Sequence, residues 1–306
     1  MGYFSQRKKQ ERVNFALNMI IGIIGVLTLL AFFDASGGIF ATVNAWRFHY
    51  YIILLAAFLY ALFSGYFIHA FSALLFLIVN YMVLASSANV FLNASGSSEN
   101  SVGTAVVYQK STRRLDSLLK RSAKAGAEIV GVNSRRQVAY FPEMSEKYRL
   151  FHADAGTYGS FIMVASEPQR AGKLRLTPER DASFAAVRSG SRSFTFVNLD
   201  FSGLKPGEEK VLFDNLAEFV LSQDDPLIIV GDFGIPAWSD TFKRFLHKTE
   251  LEVKNRIIPS SGKSLLNIFS VPTVNILAYR NVGVEEIELL KDRKNPYRPF
   301  LFKLKL

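Results

Sequence analysis

From Val13 to Phe33 the chain reads VNFALNMIIGIIGVLTLLAFF, 21 residues without a charge. An α-helix rises about 1.5 Å per residue, so a run of this length matches a hydrocarbon layer of about 30 Å. It predicts a membrane span. Arg7, Lys8, Lys9 and Arg12 precede it, and the bias of Lys and Arg toward the inner face puts this basic N-terminus, residues 1–12, in the cytoplasm. The apolar core is longer than the 7 to 15 or so residues of a secretory signal, so it is expected to be retained. A second region, Phe48 to Leu92, contains no Lys, Arg, Asp or Glu and is about twice the length of one span. Two helices with a tight turn near Ser64, Gly65 or His69 fit it. Three helices across residues 13–92 that start inside finish outside. The rest of the chain is then expected on the periplasmic or extracellular side of a bacterial inner membrane.

Asn93 to Gly103, NASGSSENSVG, is small and polar, the composition of a flexible tether. Residues 104–306 are long enough for one α/β domain of about 200 residues. The chain has no cysteine, which excludes disulfides and thiolate metal sites. Its formal charge is +10, and most of the charged residues lie beyond the linker.

Past the linker, strand and helix signals are interleaved. TAVVYQK reads as a strand and RRLDSLLKRSAKAG as a helix closed by Gly126. AEIVGV, RLFHADA, SFIMVAS, SFAAVRSG and SFTFVNLDF read as strands. EEKVLFDNLAEFVLSQ is an amphipathic helix with Glu208 and Glu209 at its positive end. PLIIVGDF is a buried strand that carries Asp232 to its end, and SDTFKRFLHK is a short helix capped by Ser239 or Asp240. TVNILAYR, EEIELLK and PFLFKLKL close the chain as strands. The fold class expected is three transmembrane α-helices followed by an α/β sandwich, two mixed and largely antiparallel sheets flanked by helices.

The stretches PLIIVGDFGIPAWSDTFKRFL, GSRSFTFVNLDF, AKAGAEIVGVNS and VEEIELLKDRKNPYRPFLFKLKL together resemble the endonuclease/exonuclease/phosphatase superfamily. The resemblance is to a bacterial membrane-bound branch with three N-terminal helices and runs over essentially the whole chain. It implies cleavage of phosphate esters with a divalent cation, usually magnesium, held by carboxylates and amides, and a histidine backed by an acid at the phosphate. Mg2+ demands hard oxygen donors in a near-octahedral array, and the departing or attacking oxygen needs a proton partner within hydrogen-bond reach.

At the matching positions this sequence departs from the pattern. The first-strand Asn corresponds to Gln109, and the metal-binding Glu to Ser134. The His of Thr-His-Leu corresponds to Asp200. In Gly-Asp-Phe-Asn, Asp232 is kept and the Asn is Gly234. The late Asp-His becomes Asn275 and Ile276, and the final Ser-Asp-His falls on Asn295, Pro296 and Tyr297. None of the four histidines, His49, His69, His152 and His247, stands at a strand-to-loop junction. The resemblance therefore implies a catalytically degenerate relative with no cofactor expected, acting as a binding or scaffold subunit of a cell-envelope complex. The alternatives are a rearranged Mg2+ or Mn2+ site around Asp232, Asp200 and Gln109, or a non-hydrolytic sensor of a phosphorylated ligand. Phe233 and Trp238 are expected to pack beneath the loop after Asp232. Arg113, Arg114, Arg135, Arg136, Arg293 and Lys294 form basic clusters suited to anionic lipid or an acidic partner. The partners expected are the bilayer and membrane or envelope proteins; the outside location argues against nucleic acid.

Overall fold

The computed structural model describes residues 2–87, 101–109, 115–134, 149–151, 159–189, 192–205, 207–255, 271–279, 281–289 and 299–305. The chain divides into two compact units: Met1–Ser87 with Trp238–Asp240, and Ala88–Ala237 with Thr241–Leu306.

The first unit is helical. α1 (Gly2–Leu30) runs into a 3-10 segment, Ala31–Ser36, followed by α2 (Gly38–Ala45), α3 (Arg47–Phe63) and α4 (Phe67–Ser87). Lys8–Ala35 and Phe67–Ser87 are each long and apolar enough to cross a membrane, and α2 with α3 forms a pair bent by 49° that passes the same test together. Two, or up to three, helices are therefore candidate spans. The turn between α3 and α4 falls at Ser64 and Gly65, where Gly65 takes φ +78°. Side chains such as Phe63, Phe67, Ile68 and Phe71 point outward, as lipid-facing residues do, while Leu17, Ile21, Ala57, Ala61, Ala70 and Ala73 pack within. The small alanines let α3 and α4 approach closely.

A chain of polar groups runs through this unit. Asn80 Nδ2 donates to Thr28 Oγ1 at 2.9 Å, and Arg47 Nη1 donates to Asn80 Oδ1 at 3.4 Å. Arg47 Nε donates to Asn44 Oδ1 at 2.8 Å, and Asn44 Nδ2 donates to Asp34 Oδ2 at 2.9 Å. The Arg47 guanidinium also lies over the Phe32 ring, 4.8 Å from its centroid. Arg47 is 1% exposed, so its charge is held by amides and an aromatic face, with Asp34 one hydrogen-bonded step away. Within the same unit Trp238 Nε1 donates to the Asn44 carbonyl at 2.8 Å and the Asp240 amide to Asp34 Oδ2 at 2.6 Å.

The second unit is a sandwich of two mixed sheets flanked by helices. Its elements are β1 (Ser101–Gln109), α5 (Leu115–Lys124), β2 (Ile129–Ser134), β3 (Arg149–Phe151), β4 (Gly159–Val164), β5 (Arg170–Thr177), β6 (Arg180–Ser189) and β7 (Arg192–Asp200). α6 (Glu208–Leu221), β8 (Leu227–Asp232), α7 (Asp240–Thr249), β9 (Glu252–Val253), β10 (Val274–Ala278), β11 (Gly283–Leu289) and β12 (Phe300–Lys305) complete it. One sheet has the order β11-β12-β1-β2-β4-β3 and the other β5-β6-β7-β8-β10-β9. The parallel pairs are β1 with β2 and β7 with β8. Ser101 to Gly103, read above as linker, already belong to β1. His152 lies outside the described residues, and His247 is in α7.

Alternation along the central strands divides the core in two. Phe194 and Phe196 of β7 and Ile228 and Val230 of β8 face the other sheet, where Val102, Ile129, Ile162 and Phe302 meet them. Val197, Leu199, Leu227 and Ile229 face outward, beneath Leu212, Phe213 and Leu216 of α6 and Phe242 and Phe245 of α7. A strand covered on both faces reads as a continuous apolar run, and every residue of β8 is buried. This double burial fixes the ends of β7 and β8 firmly, and the acidic residues sit at those ends.

Candidate functional site: the strand ends around Asp200 and Asp232

Asp200 and Asp232 are the last residues of β7 and β8 and are direct register partners in the parallel pair. On the other side of β8, Val274 pairs with Asp232 and Asn275 with Gly231. In the opposite sheet Gln109 and Ser134 are register partners at the ends of β1 and β2. The two sets of ends are tied together: Asn133 Nδ2 donates to the Leu199 carbonyl at 3.0 Å, and Asn198 Nδ2 donates to Asn133 Oδ1 at 2.9 Å. The same Asn198 amide also reaches the carbonyls of Val132 and Phe161, each at 3.2 Å. Backbone register and this cross-sheet link bring Gln109, Ser134, Asp200, Asp232 and Asn275 to one end of the sandwich. Pro296 and Tyr297 lie outside the described residues, as do Arg113, Arg114, Arg135, Arg136, Arg293 and Lys294.

The two carboxylates serve their own loops. Asp200 Oδ1 accepts the Ser202 amide at 3.0 Å, and Asp232 Oδ1 accepts the Gly234 amide at 2.9 Å. An Asp that binds the amide two residues on shapes a turn. Burial is consistent with that work, with Asp200 8% and Asp232 5% exposed. Arg180 holds the turn after Asp200 from the other side, donating to the carbonyls of Ser202 at 3.0 Å and Gly203 at 3.2 Å. The Asn275 side chain bonds back to the Thr273 carbonyl at 3.4 Å. Phe233 packs under the loop as expected, against Phe201, Phe213 and Phe242. Trp238 is buried as well, and its indole N–H donates to the Asn44 carbonyl at 2.8 Å.

Gly234 is the most constrained position of the group. Its φ is +70°, and a Cβ added there would lie 2.3 Å from the Phe201 carbonyl oxygen and 2.8 Å from Leu204 Cδ1. The backbone after β7 occupies the space a side chain would need. Among the described residues no group of three or more His, Asp or Glu side chains gathers to hold a metal ion. Sequence reading did not find Arg180, Asn133 as a cross-sheet donor, or Asn198. Each is a common polar residue whose role appears only once two distant strands are side by side.

No family model matches the sequence, and no curated protein matches it. Solved structures do match. An endonuclease/exonuclease/phosphatase family protein from Bacteroides thetaiotaomicron is 14% identical with a TM-score of 0.55, over 67% of this chain and 97% of that one. The mannosyl-6-phosphatase of the same species is 12% identical with a TM-score of 0.54, over 67% of this chain and 100% of its own. The human Nocturnin catalytic domain, solved with a sulfate anion, is 12% identical with a TM-score of 0.52, over 69% of this chain and 96% of its own. The sandwich has the endonuclease/exonuclease/phosphatase fold. Identity this low carries the fold and leaves the chemistry to the residues present. Among the described residues at these strand ends the carboxylates are those of Asp200 and Asp232, each accepting an amide of its own loop. Of the residues that the resemblance implies, Asp232 is kept, Asp200 stands at the place of a histidine, and a Cβ at Gly234 would meet the Phe201 carbonyl oxygen.

Proposed function

We propose that this chain is a membrane-anchored, non-hydrolytic protein of the endonuclease/exonuclease/phosphatase fold, acting as a binding or scaffold subunit in a bacterial cell-envelope assembly. In this reading α1, the bent pair α2 and α3, and α4 are three spans, the N-terminus is cytoplasmic and the sandwich lies outside. The basic N-terminal cluster supports that orientation. The observation that supports a non-hydrolytic reading is Gly234: a Cβ there would meet the Phe201 carbonyl oxygen at 2.3 Å, so the loop as it stands leaves no room for the Asn of the family pattern.

The test is hydrolysis of p-nitrophenyl phosphate and bis(p-nitrophenyl) phosphate by the full-length protein in detergent with Mg2+ or Mn2+. The expected result is no release above that of Asp232→Ala. Gly234→Asn, which puts the family residue back, is expected to restore no turnover and to cost about 1–3 kcal/mol of stability through overpacking. Metal-dependent turnover lost in Asp232→Ala overturns the proposal and favours the rearranged-site reading, for which the register pairing of Asp200 with Asp232 is the supporting observation.

A further inference from the structure

α1 carries a polar side chain on its outer side. Asn18 lies five residues beyond Val13, where the uncharged run begins, about 7–8 Å along the helix axis, and it is exposed. Among the described residues its amide has no hydrogen-bond partner. Asn80 of α4 shows the contrast: it is fully buried and donates to Thr28 Oγ1 and to the Phe76 carbonyl, each at 2.9 Å. Hydrocarbon offers neither donor nor acceptor, so a bare amide at this depth is costly. An amide that only a neighbouring molecule can satisfy marks a contact face.

The residues around Asn18 have the geometry of such a face. Phe15, Met19, Gly22, Val26 and Leu29 follow one another in steps of four, three, four and three, the heptad spacing that keeps one seam of a helix against a second helix. At about 100° per residue, these five and Asn18 fall within roughly a third of the helix circumference. The four larger apolar side chains range from 47% exposed at Met19 to 68% at Phe15, so the described helices of this chain leave the seam open. Gly22 at its centre is exposed, and a Cβ there would meet nothing within 4 Å. That is the space a second backbone needs for close approach. The inner side of α1 is already in use: Leu17 and Ile21 pack into the bundle, and Thr28 accepts from Asn80.

We propose that α1 pairs in parallel with α1 of a second copy of this chain, about a two-fold axis along the membrane normal. Copies inserted the same way hold Asn18 at the same depth, and the two-fold axis sets the two amides face to face. A side-chain amide both donates and accepts, so Asn18 complements itself, as an isologous contact requires. A helix of another sequence would need a polar group of its own at this depth; a second copy supplies one by symmetry. Pairing rests on α1 being a span, as proposed above, and is independent of the Asp232 loop.

The chain has no cysteine, so single introduced thiols report contact without background. The full-length protein, highly diluted in phosphatidylcholine vesicles and oxidised with copper phenanthroline, is expected to form disulfide-linked dimers in Gly22→Cys, Val26→Cys and Leu29→Cys. Ala16→Cys and Ile20→Cys, exposed about 120° and 160° around the helix from Gly22, are expected to stay monomeric. Energy transfer between N-terminally labelled donor and acceptor copies in the same vesicles measures affinity. Asn18→Val is expected to weaken association about three- to thirtyfold by removing the paired amides, and Asn18→Gln to retain it. Gly22→Ile is expected to weaken it by holding the backbones apart, whereas Gly22→Ala, still small, pairs like the parent. Insertion is read separately: Gly22→Cys is expected to resist a water-soluble maleimide while Lys9→Cys reacts. Ready labelling of Gly22→Cys overturns the span and the pair together. With Gly22→Cys protected, energy transfer no higher than that of freely mixing monomers overturns the pair alone. So does equal affinity in Asn18→Val, or cross-linking that is the same on both sides of α1.

Discussion

Gly231→Ala is expected to destabilise the sandwich by about 3–5 kcal/mol, combining overpacking with backbone strain. Gly231 sits inside β8 with φ +151°, and an added Cβ would lie 2.0 Å from the Leu199 carbonyl oxygen and 2.9 Å from its carbon. Those atoms belong to the backbone of the parallel partner strand, so no side chain can swing aside to relieve the contact. β7 and β8 would have to separate at the register pair next to Asp200 and Asp232. The strands are also the shared wall of both core clusters, so the disturbance spreads to two packed layers. Thermal unfolding of the full-length protein in detergent, followed by near-ultraviolet circular dichroism, measures it. Gly22→Ala is the control: nothing lies within 4 Å of a Cβ at Gly22, and its melting temperature is expected to stay close to the parent's.

The second large effect is expected in the helical unit. Arg47→Ala removes the centre of the chain of bonds from Thr28 to Asp34, leaving the Asn44 and Asn80 side-chain oxygens without their guanidinium donor and the Asp34 carboxylate without its nearby counter-charge. Breaking a buried ionic network by removing one member costs about 3–5 kcal/mol, because the groups left behind stay desolvated. Replacing the network as a set is milder. Arg47→Met with Asn44→Leu and Asn80→Leu is expected to regain part of the loss, since well-packed apolar residues often match a buried polar cluster in stability. Thermal aggregation of the detergent-solubilised protein ranks the variants, and equal midpoints for Arg47→Ala and the parent would contradict the role given to Arg47.

The parts of this fold that could be read from sequence are those in which one segment carries its own signal. Val13–Phe33 and Phe48–Leu92 stand out because lipid tolerates no charge over such a length. α6 stands out because its apolar residues recur at helical spacing, and β8 because it is buried on both faces. β5, RAGKLRLT, was not expected as a strand, and the reason is its place at the sheet edge. Its charged residues are mostly exposed, which is how an edge strand avoids pairing with another chain and also how it conceals its apolar alternation. α2 was missed because Gly38–Ala45 is too short to cross a bilayer alone.

At the candidate site, Asp232 was legible as an acid delivered to a strand end. Its use was not. The Gly234 amide that it accepts lies in its own loop, but the Phe201 carbonyl that closes the loop comes from the end of another strand. Asn133 and Asn198 are 65 residues apart and meet only because the two sheets face each other. The buried position of Arg47 is likewise set by residues on other helices, with no local pattern to announce it.

Titration of the full-length protein with Mn2+, followed by electron paramagnetic resonance of the free ion, tests the claim that the strand-end carboxylates no longer form a metal site. The account predicts no saturable uptake that distinguishes the parent from Asp232→Ala. Stoichiometric uptake that disappears in Asp232→Ala and weakens in Asp200→Asn would contradict it.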